Sequence, residues 1–204
     1  MVSLIKKKNS KLIAHQVISL EIEALKLLKK SLNRNFDKAV NAIVNCQSKI
    51  IFCGVGKSGL IASKIASTMS SVGCPAFSLS ANDCLHGDLG SISSKDLLII
   101  ISNSGKSKEL LPIIKFANRN KIKLIGIVSE KNSSLYKGSD IQILLPEVKE
   151  AGLGIVPTSS TSVQLAVGDA LAVSALNKKK FSKYDFSKLH PGGNLGKQLK
   201  TVEE

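Results

Sequence analysis

Gly54-Val-Gly-Lys-Ser-Gly59 sets a lysine and a serine inside a glycine-spaced turn, between the apolar run Lys49-Ile-Ile-Phe-Cys53 and the helix-compatible run Leu60-Ile-Ala-Ser-Lys-Ile-Ala-Ser67. Strand, glycine turn and helix in succession aim backbone N–H groups and a helix dipole at an anion, a phosphate above all. Two nucleotide motifs share parts of the pattern. Gly54, Gly56 and Gly59 satisfy G-x-G-x-x-G, but that fingerprint also requires an acidic residue near the end of the next strand. There the chain has serines, and the first acid after them is Asp83, in a different loop. The triphosphate loop G-x-x-x-x-G-K-[ST] would need its first glycine at Ile51, inside the strand, so that motif fails. A phosphate-cradling turn remains, beside the plainer reading of a tight turn with Gly56, Lys57 and Ser58 at its tip.

Two further clusters favour the cradle. Ser102-Asn-Ser-Gly-Lys-Ser107 follows an apolar run and leads into a helical pattern that carries Glu109 in its first turn. Pro157-Thr-Ser-Ser-Thr161 opens a long apolar helix and follows Glu147-Val-Lys-Glu150. One hydroxyl-rich helix start is ordinarily just a cap. Two on one edge of a sheet, with a lysine, form a phosphate site that needs neither metal nor nucleotide. The candidate binding residues are therefore Gly56, Ser58, Ser102, Asn103, Ser104, Ser107, Thr158, Ser159, Ser160 and Thr161. The chain has three histidines. His15 lies in an amphipathic helical pattern and reads as a surface or packing residue. His86, in Leu85-His-Gly-Asp-Leu-Gly90, and His190, in Leu189-His-Pro-Gly-Gly-Asn-Leu-Gly196, sit among turn residues that fix the backbone. With Glu109 and Glu150 they supply candidate acids and bases. No two of these residues share a metal-ligand spacing, so no metal is expected.

Composition narrows the classes. At 204 residues the chain reads as one domain, long enough to bury a core, with extra helices at either end. Apolar residues make up 43% and aromatics 4%, with no Trp, which suits an aliphatic α/β core better than a base-stacking surface. The formal charge of +14 invites a nucleic-acid partner, but of 29 basic residues only Arg34 and Arg119 are arginines, leaving 27 lysines. These are scattered, with clusters at Lys6 to Lys8 and Lys178 to Lys180 that read as solvated ends. No nucleic-acid partner is expected, because such recognition favours arginine with aromatic support; the charge would gather small anionic substrates. No apolar run reaches the ~20 residues of a membrane span, and the N-terminus carries no signal-peptide pattern. Cys46, Cys53, Cys74 and Cys84 show no C-x-x-C spacing and read as small buried hydrophobes in a reducing cytoplasm.

Elements that could position these residues alternate along the chain. Strands are predicted at Lys49–Cys53, Pro75–Leu79, Asp96–Ile101, Lys123–Val128 and Asp140–Leu145, the central ones continuously apolar as for strands covered on both faces. Helices are predicted at Ser58–Ser71, Ser107–Asn120 and Ser133–Gly138 between strands, at Leu12–Leu32 and Phe36–Cys46 before them, and at Ser160–Asn177 after them. Alternation of this kind implies βαβ units and a five-stranded parallel sheet in a three-layer α/β sandwich, flavodoxin- or Rossmann-like. Ligands then bind beyond the carboxyl ends of the strands, where all the polar clusters fall. The Ala-, Val- and Leu-rich last helix is of a kind buried between subunits, which points to a homo-oligomer.

Seven motifs in this order, Gly54-Val-Gly-Lys-Ser-Gly59, His86-Gly-Asp-Leu-Gly90, Ser102-Asn-Ser-Gly105, Lys149-Glu-Ala151, Pro157-Thr-Ser-Ser-Thr161, Gly168-Asp-Ala-Leu-Ala172 and His190-Pro-Gly-Gly193, resemble the sugar-isomerase (SIS) domain, specifically the D-arabinose-5-phosphate isomerase family. The resemblance runs from about Leu12 to Leu199. It implies cofactor-free interconversion of D-ribulose 5-phosphate and D-arabinose 5-phosphate by a cytoplasmic homotetramer, in the Kdo branch of lipopolysaccharide biosynthesis. It implies active-site roles for Lys57, Glu109, Glu150 and His190, with His86 close by, and phosphate contacts from the serine loops. It also implies a layout of N-terminal helices at about 12–46, an α/β core at about 47–178 and a C-terminal active-site segment at about 179–204. Three departures stand out. The chain stops soon after the His-Pro-Gly-Gly turn, without the tandem CBS modules common in the family. Lys106 stands where the family has an acid, and the loop after Glu150 is one residue shorter.

The chemistry suits the set. Aldose–ketose isomerisation opens a cyclic sugar, then moves a proton between C1 and C2 through an enediol. Glu150 is assigned as the base, with its proton affinity expected to be raised by exclusion of water, and His190 and His86 are assigned to ring opening or proton shuttling. Lys57 would stabilise the phosphate or the developing enediolate. Two other readings use the same residues: a non-catalytic sugar-phosphate-binding regulatory module, and an isomerase of another ketose phosphate. The first does not require Glu150 and His190 together, and deuterium exchange into the sugar separates it from an enzyme.

Overall fold

The computed structural model describes residues 9–192. The Lys6 to Lys8 cluster, and the part of the His190 motif from Gly193 onward, lie outside the described residues. The chain runs α1 (Ser10–Ser31), α2 (Arg34–Val44), β1 (Ile50–Gly54), α3 (Lys57–Ser71), β2 (Ala76–Ser80), α4 (Ala81–Cys84), a 3-10 turn (Asp88–Ser91), β3 (Leu97–Ile101), α5 (Leu110–Arg119), β4 (Lys123–Val128), α6 (Ser134–Gly138), β5 (Ile141–Leu144), a left-handed turn α7 (Gly152–Ile155), α8 (Ser159–Lys178) and α9 (Lys183–Leu189). The sheet is wholly parallel in the order β2-β1-β3-β4-β5. This is the doubly wound order that reverses direction between β1 and β3.

Alternation along each strand splits the core into two layers. Ile50, Phe52, Leu97, Ile99, Ile101, Ile125, Ile127, Ile141 and Ile143 face α1, α2, α3 and α8. Ile51, Cys53, Leu98, Ile100, Leu124 and Val128 face α4, α5 and α6. With helices on both faces the strands need no polar side, which is why β1 and β3 are buried along their whole length. Cys53, Cys74 and Cys84 are buried and Cys46 is half-buried, all as free thiols.

Several boundaries differ from the sequence expectation. Helix α5 begins at Leu110 rather than Ser107, because Ser102 to Lys108 form a turn of their own. Pro112 then falls at the third helical position, where the ring costs no intrahelical bond. Helix α9 went unforeseen: it is short, and its Ser182 and Asp185 close a capping box. Helix α8 was expected to be buried between subunits. Within the chain, Val163, Val167, Leu171, Ala172 and Ala175 are covered by α1, α2 and α3, while Val173 stays exposed. Apolar residues left exposed include Leu12, Ile13, Ile18, Ile22, Leu25 and Leu27 of α1, and Leu60, Leu153 and Ile155 elsewhere.

One ion pair fastens the edge opposite the strand carboxyl ends. The Asp96 side chain is fully buried and accepts from Lys49 Nζ at 3.0 Å and from the Ser93 N–H at 2.6 Å. Burial raises its pKa, but the bonds from Ser93, Ser48 and Lys49 outweigh burial and hold it at about 2. A carboxyl depressed in the folded state contributes stability that is complete above its unfolded pKa and is lost as pH falls through the folded one. Asp96→Asn should therefore lower unfolding stability at pH 7 by about 2 kcal/mol, with the gap from wild type closing between about pH 4 and pH 2. Urea melts across that range measure it.

Candidate active site

The predicted residues fall on loops at the carboxyl edge of the sheet, with one exception. Lys57 and Ser58 open α3 directly beyond β1, and Lys57 is exposed. Gly56 takes φ +57°, ψ −127°, a conformation that a side chain disfavours, and so turns the chain sharply enough for α3 to start there. A Cβ on Gly54 would stand 2.8 Å from the Ser58 carbonyl, and one on Gly59 would stand 2.9 Å from the Gly54 oxygen. Glycine at 54 and 59 is thus what lets strand and helix touch. No side chain caps α3, so its first N–H groups face the edge unclaimed by a cap.

The turn after β3 adjoins this loop, since β1 and β3 pair. Ser102 is buried and its hydroxyl accepts from the Gly105 N–H at 3.0 Å; Ser104 accepts from the Lys106 N–H at 3.3 Å. Asn103 is exposed and receives the Ser129 hydroxyl at its carbonyl at 2.6 Å. Lys106 pairs with Glu130, tying the turn to the loop after β4. Ser107 and Glu109 are half-buried, and Glu109 occupies the N-cap position of α5 without capping it.

The third loop arrives by way of helix packing. Ile65 of α3 presses on Gly168 of α8, Lys64 pairs with Asp169, and the contact lies about equally far into each helix. The N-terminus of α8 is thereby set beside that of α3, although β5 is separated from β1 by two strands.

Glu150 fills that terminus. Its carboxylate accepts from the Thr158 N–H at 2.8 Å, the Thr158 hydroxyl at 3.1 Å and the Ser160 N–H at 3.3 Å. Burial pushes its pKa up, but hydrogen bonds from Ser160 and Thr158 more than offset burial, and the pKa lies below the ordinary glutamate value. The expectation of a raised proton affinity is therefore corrected: the group is held ionised. Thr158 and Ser160 were expected to contact phosphate, yet their N–H groups are given to Glu150, and the Thr161 hydroxyl donates to the Thr158 carbonyl at 2.8 Å. The Ser159 hydroxyl is fully buried without a partner among the described residues.

The histidines stand apart. His86 is exposed in the loop beyond β2, on the same edge as Lys57. His190 is the exception to the clustering. Helix α8 runs away from that edge, and past its end Phe181 meets Gly73 and Lys179 bonds the Gly73 carbonyl, at the far end of α3. His190 follows α9, stacks on Phe186 at 3.9 Å between ring centroids and bonds the Phe186 carbonyl through Nδ1 at 2.8 Å. Both contacts are local to α9, and among the described residues His190 makes no hydrogen bond to Glu150. Sequence reasoning also missed a cleft of about 240 Å3 between the β1 and β2 ends, lined by Gly54, Gly56, Gly59, Ser78, Ser80 and Asn82. The glycine turn signalled one wall of it, and the serines at the end of β2 were the unread signal for the other. Among the described residues no group of three or more His, Cys, Asp or Glu is placed to hold a metal ion, and no helix is long and apolar enough to cross a membrane.

The SIS domain family model matches residues 43–174. Arabinose 5-phosphate isomerase KdsD of Yersinia pestis is 43% identical over 90% of this chain and 56% of its own length. The Francisella tularensis protein of the same name is 42% identical over 91% of this chain and 58% of its own. The chain thus spans little more than half the length of these relatives. An Escherichia coli CFT073 structure, a complex with arabinose 5-phosphate, superposes with a TM-score of 0.85 at 36% identity, covering 90% of this chain and 99% of that one. A match that takes in the whole parallel sheet, its glycine turn and both hydroxyl-rich loops makes this chain a member of the SIS domain family.

Proposed function

We propose that the chain is an aldose–ketose isomerase that interconverts D-ribulose 5-phosphate and D-arabinose 5-phosphate through an enediol, without a cofactor. What carries the reading is Glu150, a carboxylate held ionised beside the open N-terminus of α3, where a binding module would need no base. The names of the 43% and 42% identical relatives, and the sugar-phosphate complex of a structure of matching extent, support the substrate. The phosphate is assigned to the β1 and β3 loops, with Gly56, Ser58, Ser102, Asn103, Ser104 and Ser107, because the N-terminus of α8 is already filled by Glu150. Lys57 neutralises the developing enediolate, and Glu109 and His86 complete the edge. The same reading places the reaction in the cytoplasm, in the supply of Kdo for lipopolysaccharide.

A homotetramer accompanies it. The exposed apolar residues of α1, and a His190 whose contacts are with Phe186 of its own helix, suit an assembly in which a second copy covers the first and a histidine reaches the site across the interface.

The test is to incubate the full chain, treated with a chelator, with ribulose 5-phosphate and with hexulose and heptulose phosphates in deuterated water, and to follow products by NMR. Arabinose 5-phosphate carrying solvent deuterium is expected from the pentose, at a rate the chelator leaves unchanged. Loss of activity that a divalent metal restores overturns the cofactor-free mechanism. Preferential turnover of a longer ketose phosphate reassigns the substrate. Tight sugar-phosphate binding with no exchange makes the chain a regulatory module instead.

A further inference from the structure

The hydroxyl of Thr158 lies between two acceptors and has one hydrogen to give. Its Oγ1 stands 3.1 Å from Oε2 of Glu150 and 3.2 Å from the Val156 carbonyl oxygen, while it accepts from the Ala151 N–H at 3.0 Å. The Ala151 bond fixes where the oxygen sits and leaves the O–H free to rotate between the two acceptors. We propose that Thr158 is a positioning residue for Glu150, its hydroxyl hydrogen resting on the carboxylate before proton abstraction and turning to the Val156 carbonyl while Glu150 carries the substrate proton. This rests on the reading of Glu150 as the base.

Protons and electrons balance within the site. Glu150 takes a proton from the substrate carbon, and the electron pair of the broken C–H bond becomes the double bond of the enediolate. Glu150 then returns the proton to the neighbouring carbon while the hydroxyl proton passes from O1 to O2, so that the carbonyl forms at C1, and the Thr158 hydrogen swings back. A base tied only by fixed donors would be a poor proton acceptor, since every bond to the charged form must weaken when the charge goes. Two of the donors here, the N–H groups of Thr158 and Ser160, are fixed by the backbone. The hydroxyls are the donors that can leave, that of Ser160 among them, and the Thr158 hydroxyl has a second acceptor waiting at 3.2 Å. A bond to an ionised group is about twice as strong as a neutral one, so the hydrogen favours the carboxylate at rest and loses that preference once Glu150 is neutral.

The charged group facing this switch is Lys57, which opens α3 beside the N-terminus of α8. Residues 151 to 161, which carry the turn and the start of α8, include no ionisable side chain. On the approach from β5, Glu147 and Lys149 are exposed, and with Glu23 of α1 they line a separate cleft of about 500 Å3.

The test reads Glu150 directly, by carbon-13 NMR of its side-chain carboxyl in the full chain, and reads turnover of ribulose 5-phosphate in parallel. Thr158→Val keeps the branched shape and the backbone N–H but removes the hydroxyl; Thr158→Ser keeps the hydroxyl. In wild type Glu150 should titrate below the ordinary glutamate range. In Thr158→Val its titration, and the acid limb of kcat/KM with it, should move to higher pH, while kcat falls about 10-fold and KM changes less than about 2-fold. Thr158→Ser should restore both towards wild type. Unchanged Glu150 titration in Thr158→Val overturns the proposal, as does a wild-type Glu150 that titrates in or above the ordinary range, a measurement needing no variant. If wild type isomerises no sugar phosphate, the proposed function fails by itself, and the titration still decides whether Thr158 governs the carboxyl.

Discussion

Glu150→Gln should reduce turnover of ribulose 5-phosphate by ~10² to 10⁴-fold, the usual contribution of a general base. The amide oxygen can still accept from the Thr158 and Ser160 N–H groups, which bond the carboxylate at 2.8 and 3.3 Å, so the cap on α8 is retained in part. The phosphate is held elsewhere, at the β1 and β3 loops, so KM should change far less than kcat. Solvent deuterium should enter the sugar with wild type and not with the variant. Near-normal turnover in Glu150→Gln removes Glu150 from the base role and passes the question to Glu109 and His190. The depressed pKa adds a sign: wild-type activity should persist on the acid side below the pH at which an ordinary glutamate is protonated, because the folded carboxyl stays ionised there.

Gly54→Ala should damage the protein more broadly. The new Cβ would stand 2.8 Å from both the carbonyl carbon and oxygen of Ser58 and 2.9 Å from the Gly59 nitrogen, and all three are backbone atoms that cannot rotate aside. Helix α3 must move off β1 or the strand must bend, at a cost of about 3 kcal/mol, the upper end for overpacking. Because α3 also carries Lys57 and packs on α8, the shift misplaces the lysine relative to Glu150. Thermal melts and turnover should therefore fall together. A melt within a degree or two of wild type would mean that the loop absorbs the methyl group and that the glycine is not a structural requirement.

The sheet was legible because its strands are apolar on both faces. Leu97-Leu-Ile-Ile-Ile101 and the run ending at Val128 leave no other element type that buries them. Family membership was legible from the order of the polar motifs. What sequence spacing did not reveal was where those motifs direct their hydrogen bonds. Glu150 and Thr158 are separated by a loop whose residues Gly152, Leu153 and Gly154 all take positive φ, and only that doubling back brings the carboxylate onto the N-terminus of α8. A Thr-Ser-Ser-Thr sequence looks the same whether it faces an anion from outside or a glutamate of its own chain. The position of His190 was equally hidden, because it depends on the direction in which α8 leaves the carboxyl edge. Helix α5 shows the same limit on a small scale: Ser107 and Glu109 have the chemistry of a helix start, but the preceding turn uses the backbone and delays the helix to Leu110.

The packing of α8 also governs the order in which the chain can be built. Helices α1 and α2 leave the ribosome before the sheet, yet the helix that covers them is α8, after all five strands. Ala24 and Leu28 wait in water until Val163 to Ala175 emerge, and Ala39, Val40 and Ile43 wait at least until β5 does. Contacts closed over so long a stretch of sequence are slow to form, and surface left bare meanwhile is prone to association. Closure of this core therefore waits for α8, and the nascent chain is most exposed to misassembly in the interval between the second helix and the eighth.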